Sequence, residues 1–184
     1  MKRKLLYILL IFSSLSFSNA DKFSKETVVY IVRHAEKDSS DRTNLDPGLS
    51  AQGKTRAKDL MQALKKEKFA GIFSTPFNRT LDTAKPLAQI SGLPILTYPA
   101  SDFEAIAHTI KTTYLNRVTL IVGHSNTILE IAKALGTQPP VLALQDNDYD
   151  LLLKVTIDID GKSDLKISRY GKKHHSTELT MMNR

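Results

Sequence analysis

The chain contains no cysteine in 184 residues. Disulfides, thiolate metal sites and lipid attachment at a Cys are thereby excluded. A domain without such staples must be held by its core, and the roughly 160 residues after the N-terminal segment suffice for one. No glycine-rich nucleotide loop of Walker type is present. The segment Gly123-His124-Ser125-Asn126-Thr127 does not fit the Gly-x-Ser-x-Gly pattern of a serine hydrolase, which leaves Ser125 as a helix cap. Lys and Arg do not alternate with aromatics in a stripe, so a nucleic-acid partner is not expected. Proline (7) and glycine (8) are dispersed, which argues against low complexity.

The N-terminus carries an export pattern. Met1-Lys2-Arg3-Lys4 is positive, Leu5 to Phe12 is apolar, and Ser18-Asn19-Ala20 is a small-x-small cleavage site. The apolar stretch falls short of the roughly 20 residues that span a bilayer. Residues 1–20 are therefore expected to be a signal peptide, directing the protein to the periplasm or outside the cell. An uncleaved anchor is the alternative. With Lys2, Arg3 and Lys4 gone, the formal charge falls from +7 to +4, a modest excess that favours an anionic substrate.

Residues 21–170 alternate between strand and helix signals. Strands are expected at Thr27–Val32, Phe69–Phe73, Leu93–Tyr98 and Arg117–Val122. Helices are expected at Ser50–Lys66, Asn78–Ile90, Asp102–Leu115 and Asn126–Leu135. Ser50 should cap the first, Pro86 should kink or break the second, and Gly136 should close the last. Two more strands, Tyr149–Ile159 and Asp164–Arg169, meet at an Asp160-Gly161 turn and form an antiparallel hairpin. The pattern predicts an α/β fold with a mostly parallel sheet of about six strands and helices on both faces. The basic, polar segment 171–184 is expected to be a mobile tail.

Two strand exits carry the chemistry. Val28 to Val32 ends in Arg33-His34, and Val118 to Val122 ends in Gly123-His124. Parallel strands place both imidazoles on one sheet edge, where open α/β sheets bind ligands. The exit after Phe73 adds Arg79, and helix N-termini near Arg79 and Ser125 add N–H groups. Two guanidiniums suit a phosphate dianion. Their charge keeps His34 neutral at pH 7, and a neutral imidazole facing a bound phosphate is an activated nucleophile. A metal site is disfavoured, because the two His lie far apart in sequence and the Arg pair repels a cation.

Four segments in order resemble the histidine phosphatase superfamily, which includes the phosphoglycerate mutases. They are Val32-Arg33-His34-Ala35-Glu36-Lys37, Leu49-Ser50-Ala51-Gln52-Gly53, Ser74 to Ala84 around Arg79, and Val122-Gly123-His124-Ser125. Ala35 stands where the family usually has Gly. The resemblance implies a three-layer α/β/α sandwich and a phosphomonoesterase working through a phosphohistidine on His34. Arg33, Arg79 and His124 would form the phosphate pocket, with Ser125, Glu36 and Lys37 contacting substrate. No metal or organic cofactor is implied, and the partner is a small phosphorylated substrate. Family members place an acidic proton donor after the third strand, which points to Asp102, then Glu104. Either is equally an ordinary acid of a helix N-terminus. Glu36 is a third candidate, or an ion-pair partner of Lys37 or Arg42. Other readings left open are a non-catalytic domain binding a phosphorylated ligand, and a phosphotransferase or mutase on small phosphorylated metabolites.

Overall fold

A computed structural model of the protein describes residues 26–140 and 143–175. The expected signal peptide and residues 176–184 of the tail lie outside that range.

Six strands form one sheet in the order β3-β2-β4-β1-β5-β6. They are β1 (Thr27–Arg33), β2 (Phe69–Ser74), β3 (Ile95–Thr97), β4 (Val118–Gly123), β5 (Leu151–Ile157) and β6 (Ser163–Arg169). Four helices separate them: α1 (Ala51–Leu64), α2 (Asn78–Ser91), α3 (Phe103–Thr113) and α4 (Ile128–Ala134). The β1–β4, β2–β4 and β2–β3 pairs are parallel, while β5 runs antiparallel to both β1 and β6. The α/β class and the C-terminal hairpin are as expected.

Alternation along β1 divides the core into two layers. Val28, Tyr30 and Val32 face Leu60 and Leu64 of α1 and Ala84 and Leu87 of α2. Val29 and Ile31 face Ile106 and Ile110 of α3 and Ile128 and Ile131 of α4. All seven residues of β1 are buried, as a central strand covered by helices on both faces must be.

Several boundaries differ from expectation. The helix α2 runs unbroken through Pro86, the ring merely depriving the Asp82 carbonyl of an N–H donor. The strand β3 is only three residues long: Pro94 ahead of it has no N–H to pair, and although Tyr98 N still donates to Ser74 O at 3.0 Å, its ring is buried with the hydroxyl donating to Val122 O at 3.2 Å. The helix α4 starts at Ile128 rather than Asn126, so Ser125 sits in the preceding turn and caps nothing. Ser50 does cap α1, accepting from Gly53 N at 3.1 Å.

Gly53 shows why the Leu49-to-Gly53 element has its form. A Cβ at that position would lie 2.1 Å from the carbonyl oxygen of Glu36. Only a bare Cα lets α1 press against the chain just after Arg33-His34, where Ser50 N also donates to Glu36 O at 2.9 Å.

The segment after β6 is not a free tail as far as the structure describes it. Arg56 donates to Tyr170 O and Lys172 O, His174 N donates to a carboxylate oxygen of Asp150, and His175 Nδ1 bonds the same carboxylate. Basic composition suggested a solvated segment. Two buried carboxylates, Glu36 and Asp150, instead draw 171–175 onto the domain, because carboxylates out of water need donors.

Candidate active site

Strand register builds the site. Arg33 is paired with Gly123, so the next residues, His34 and His124, leave adjacent parallel strands at the same level. Their rings lie 5.4 Å apart between centroids. The loop after β2 brings in Phe77 and Arg79. Together with Lys37, Ala100, Ser101, Ser125, Asn126, Thr127 and Asp146, these residues line an open cleft of about 530 Å³.

His34 is oriented by its own backbone. Its Nδ1 lies 2.7 Å from Ala35 O, and a carbonyl can only accept, so Nδ1 carries the proton. The lone pair is left on Nε2. Burial pushes the imidazole down to about 3. The bond to Ala35 opposes that, and the charges of Arg33, His124 and Arg79 add to it. The ring is neutral at pH 7 as expected, but desolvation outweighs the guanidiniums as the cause. The following residue is fixed too, Ala35 N donating to Thr83 Oγ1 at 2.9 Å. Ala35 is fully buried against Leu49 and Ala57, so its methyl is accommodated.

His124 is held from the β2 exit. Its Nε2 lies 2.9 Å from Thr75 Oγ1, which in turn lies 2.9 Å from Thr80 Oγ1. Thr80 spends its single hydroxyl proton on carbonyls of Thr75 or Phe77. Burial, then Arg79 and Arg33, push the His124 imidazole down to about 4. Gly123 is required beside it, since a Cβ there would come within 2.9 Å of Thr127 Oγ1, the acceptor for His124 N.

Both guanidiniums lie over aromatic rings. Arg33 sits 4.1 Å above the Tyr149 ring and donates from Nη1 to the carbonyls of Gln145, Asp146 and Asp148. Its buried Nε has no hydrogen-bond partner among the described residues. Arg79 lies 4.5 Å over Phe77 and 3.5 Å from a carboxylate oxygen of Asp46. Asp46 also takes Asn78 N at 3.0 Å, so the first N–H of α2 is already engaged rather than free for an anion.

The family model of the histidine phosphatase superfamily (branch 1) matches residues 29–100, the stretch that carries Arg33, His34 and Arg79. Residues 29–100 are thus similar to the histidine phosphatase superfamily. Among its relatives, phosphoserine phosphatase 1 of Hydrogenobacter thermophilus is 39% identical over 70 residues, 36% of this chain and 33% of that enzyme. The chain thus matches about a third of that enzyme's length. Among solved structures, the protein histidine phosphatase SixA complexed with tungstate superposes with a TM-score of 0.64 at 17% identity, over 77% of this chain and 96% of that one. A mycobacterial glucosyl-3-phosphoglycerate phosphatase gives 0.61 at 15% identity, over 79% and 100%. At such identities the structural likeness concerns the fold alone.

Of the residues singled out from sequence, Arg33, His34, Lys37, Arg79, His124 and Ser125 meet in the cleft. The three acidic candidates do not. Asp102 turns back on its own helix, accepting Ala105 N at 3.0 Å as the N-cap of α3, and Glu104 lies in that helix's first turn. The segment after β3 reaches the cleft through Ala100 and Ser101 instead. Glu36 is buried away from it, both its oxygens within 3.0 Å of Arg56 Nε and one 2.6 Å from His174 Nδ1. Its ion-pair partner is therefore Arg56, not Lys37 or Arg42. Sequence reasoning missed Thr75, Tyr149 and Asp146. Among the described residues, no three His, Asp or Glu side chains gather as a metal would require.

The depressed imidazoles make stability depend on pH. An unfolded His binds a proton near pH 6.5, whereas His34 and His124 resist one down to about 3 and about 4. Their contribution is complete above 6.5 and is lost progressively as pH falls toward those values. Between pH 6.5 and 4.5, unfolding should take up about one proton per imidazole. Melting temperature should therefore drop across that window, and His34→Asn should flatten the slope by about half. An unchanged slope in the variant contradicts the assignment.

Proposed function

We propose that this protein is a phosphomonoesterase acting through a phosphohistidine on His34, without a metal. One observation carries the reading: His34 presents an unprotonated Nε2 to a cleft that also holds Arg33, Arg79 and His124. Nε2 attacks phosphorus in line with the ester oxygen. The Arg pair and His124 hold the equatorial oxygens while their charge redistributes. Water then hydrolyses the N–P bond. The names phosphoserine phosphatase 1 and glucosyl-3-phosphoglycerate phosphatase support small phosphate esters as the substrate class, whereas SixA is named as a protein histidine phosphatase. The cleft is open, so selectivity is expected to be modest.

The test is to incubate the protein with a labelled aryl phosphate in EDTA and quench it. Acid-labile, alkali-stable phosphate on His34 by mass spectrometry is the expected result, with release of inorganic phosphate. Absence of both overturns the reading. Transfer of the label to added alcohols or sugars in place of water would favour a phosphotransferase.

The placement of Asp102, Glu104 and Glu36 outside the cleft favours a second reading, a domain that binds phosphorylated ligands without efficient turnover. The two readings part on whether another acid serves the leaving group.

We further propose export, on the charged, apolar and small-x-small pattern of residues 1–20. Among the described residues, no helix is long and apolar enough to cross a membrane. Protein recovered from the periplasm or medium should begin at Asp21 by N-terminal sequencing. A chain that still begins at Met1 would support the uncleaved anchor.

A further inference from the structure

Resting on the phosphatase reading, we propose that Asp146, in the loop between α4 and β5, is the proton donor to the leaving group. It is the one acidic residue among the described residues that line the cleft. The loop that carries it is fixed to the phosphate-binding machinery. Arg33 Nη1 takes Asp146 O at 2.9 Å and Gln145 O at 3.2 Å. Gln145 N donates to the Asp148 carboxylate at 2.9 Å, and Asp148 N returns to Gln145 O at 3.0 Å, which closes the turn. The same guanidinium that would grip phosphate thus sets the position of Asp146 through its main chain, while its side chain is left exposed. The negative charge of Asp146 is also felt at Arg33. The position after β3 is taken by Ala100 and Ser101, neither of which can supply a carboxylic proton.

The Nε2 lone pair of His34 forms the N–P bond, and the P–O ester bond breaks with its electron pair going to the leaving oxygen. The carboxyl of Asp146 gives that oxygen its proton, so the alcohol departs and a carboxylate remains. In the second half, the carboxylate takes a proton from water as the water oxygen bonds phosphorus. The N–P pair returns to Nε2, and phosphate leaves.

A general acid matters in proportion to how badly the leaving group needs a proton. Asp146→Asn should therefore cut kcat by about 10²- to 10³-fold on an alkyl phosphate such as glycerol phosphate. On p-nitrophenyl phosphate, whose leaving group departs as an anion, the loss should be far smaller, below about tenfold. The alkaline fall in kcat of the wild type on the alkyl ester should disappear in the variant. Arg33 is held by a main-chain oxygen, so the substitution keeps that bond. A melting temperature near the wild type's checks this, and Asp146→Glu should recover part of the alkyl-ester rate. Asp102→Asn keeps a good N-cap and should change neither rate more than about twofold. Equal losses on both ester classes, no loss on either, or a leaving-group-dependent loss in Asp102→Asn instead would each overturn the assignment. A wild type that never labels His34 brings down the phosphatase reading and this one with it. One that labels His34 while Asp146→Asn behaves normally brings down this one alone.

Discussion

His34→Ala should lower turnover of every phosphate ester by about 10⁴-fold or more while leaving the cleft able to bind inorganic phosphate. The residue supplies the electron pair that forms the covalent intermediate, and no neighbour can replace it. His124, with its ring 5.4 Å away between centroids, is engaged through Nε2 with Thr75. Binding should survive because Arg33 and Arg79 are held independently of the His34 ring. Arg33 is held by three carbonyls and Tyr149, and Arg79 by Phe77 and Asp46. Removing an imidazole that resists protonation does not remove positive charge from the cleft. Steady-state kinetics with an aryl phosphate, alongside calorimetric titration with phosphate, separates the two quantities. Residual turnover above about one per cent, or phosphate binding lost in parallel with activity, contradicts the nucleophile assignment and points to a structural role.

The sequence made the central part of this site legible for a simple reason. Apolar runs such as Val28 to Val32 and Val118 to Val122 are buried strands, and a cation or imidazole at their exits stands out against them. Parallel pairing then does the rest, because register brings equivalent exits together. The proton donor was not legible, because counting residues from the end of β3 takes no account of the turn in which Asp102 N donates to Pro99 O. That turn carries the Asp102 carboxylate past the cleft and onto Ala105 N. The loop around Asp146 was hidden more deeply. Its link to Arg33 runs through main-chain carbonyls, which any residue type provides, so no side-chain pattern announces it. Arg56 is passed over by the sequence reading although a signal is there. It falls on the same face of α1 as Gly53, Ala57, Leu60 and Leu64, and a charged residue on an apolar stripe signals a buried partner.

That partner gives the largest expected effect on stability. Glu36→Gln or Arg56→Met should each destabilise the fold by about 3–5 kcal/mol, because each strands a buried opposite charge. The side chains are 8% and 2% exposed, with Nε to oxygen distances of 2.8 and 3.0 Å. Burial by itself would raise the Glu36 carboxyl. The bonds from His174, its own backbone N–H and Arg56 outweigh that and hold it below the ordinary glutamate value. Its contribution is thus present above the unfolded glutamate range and fades as pH falls through the lowered folded value. More than two residues depend on the pair. Arg56 also holds Tyr170 O and Lys172 O, and Glu36 holds His174, whose ring lies 5.1 Å from that of Tyr149. Tyr149 in turn lies under Arg33. Urea unfolding of the single variants should show the loss. The double variant Glu36→Leu with Arg56→Met should recover much of it, since apolar replacement removes both desolvation costs together. If the single losses simply add in the double variant, the two side chains are not coupled and the pair is not what fastens 171–175 beside the site.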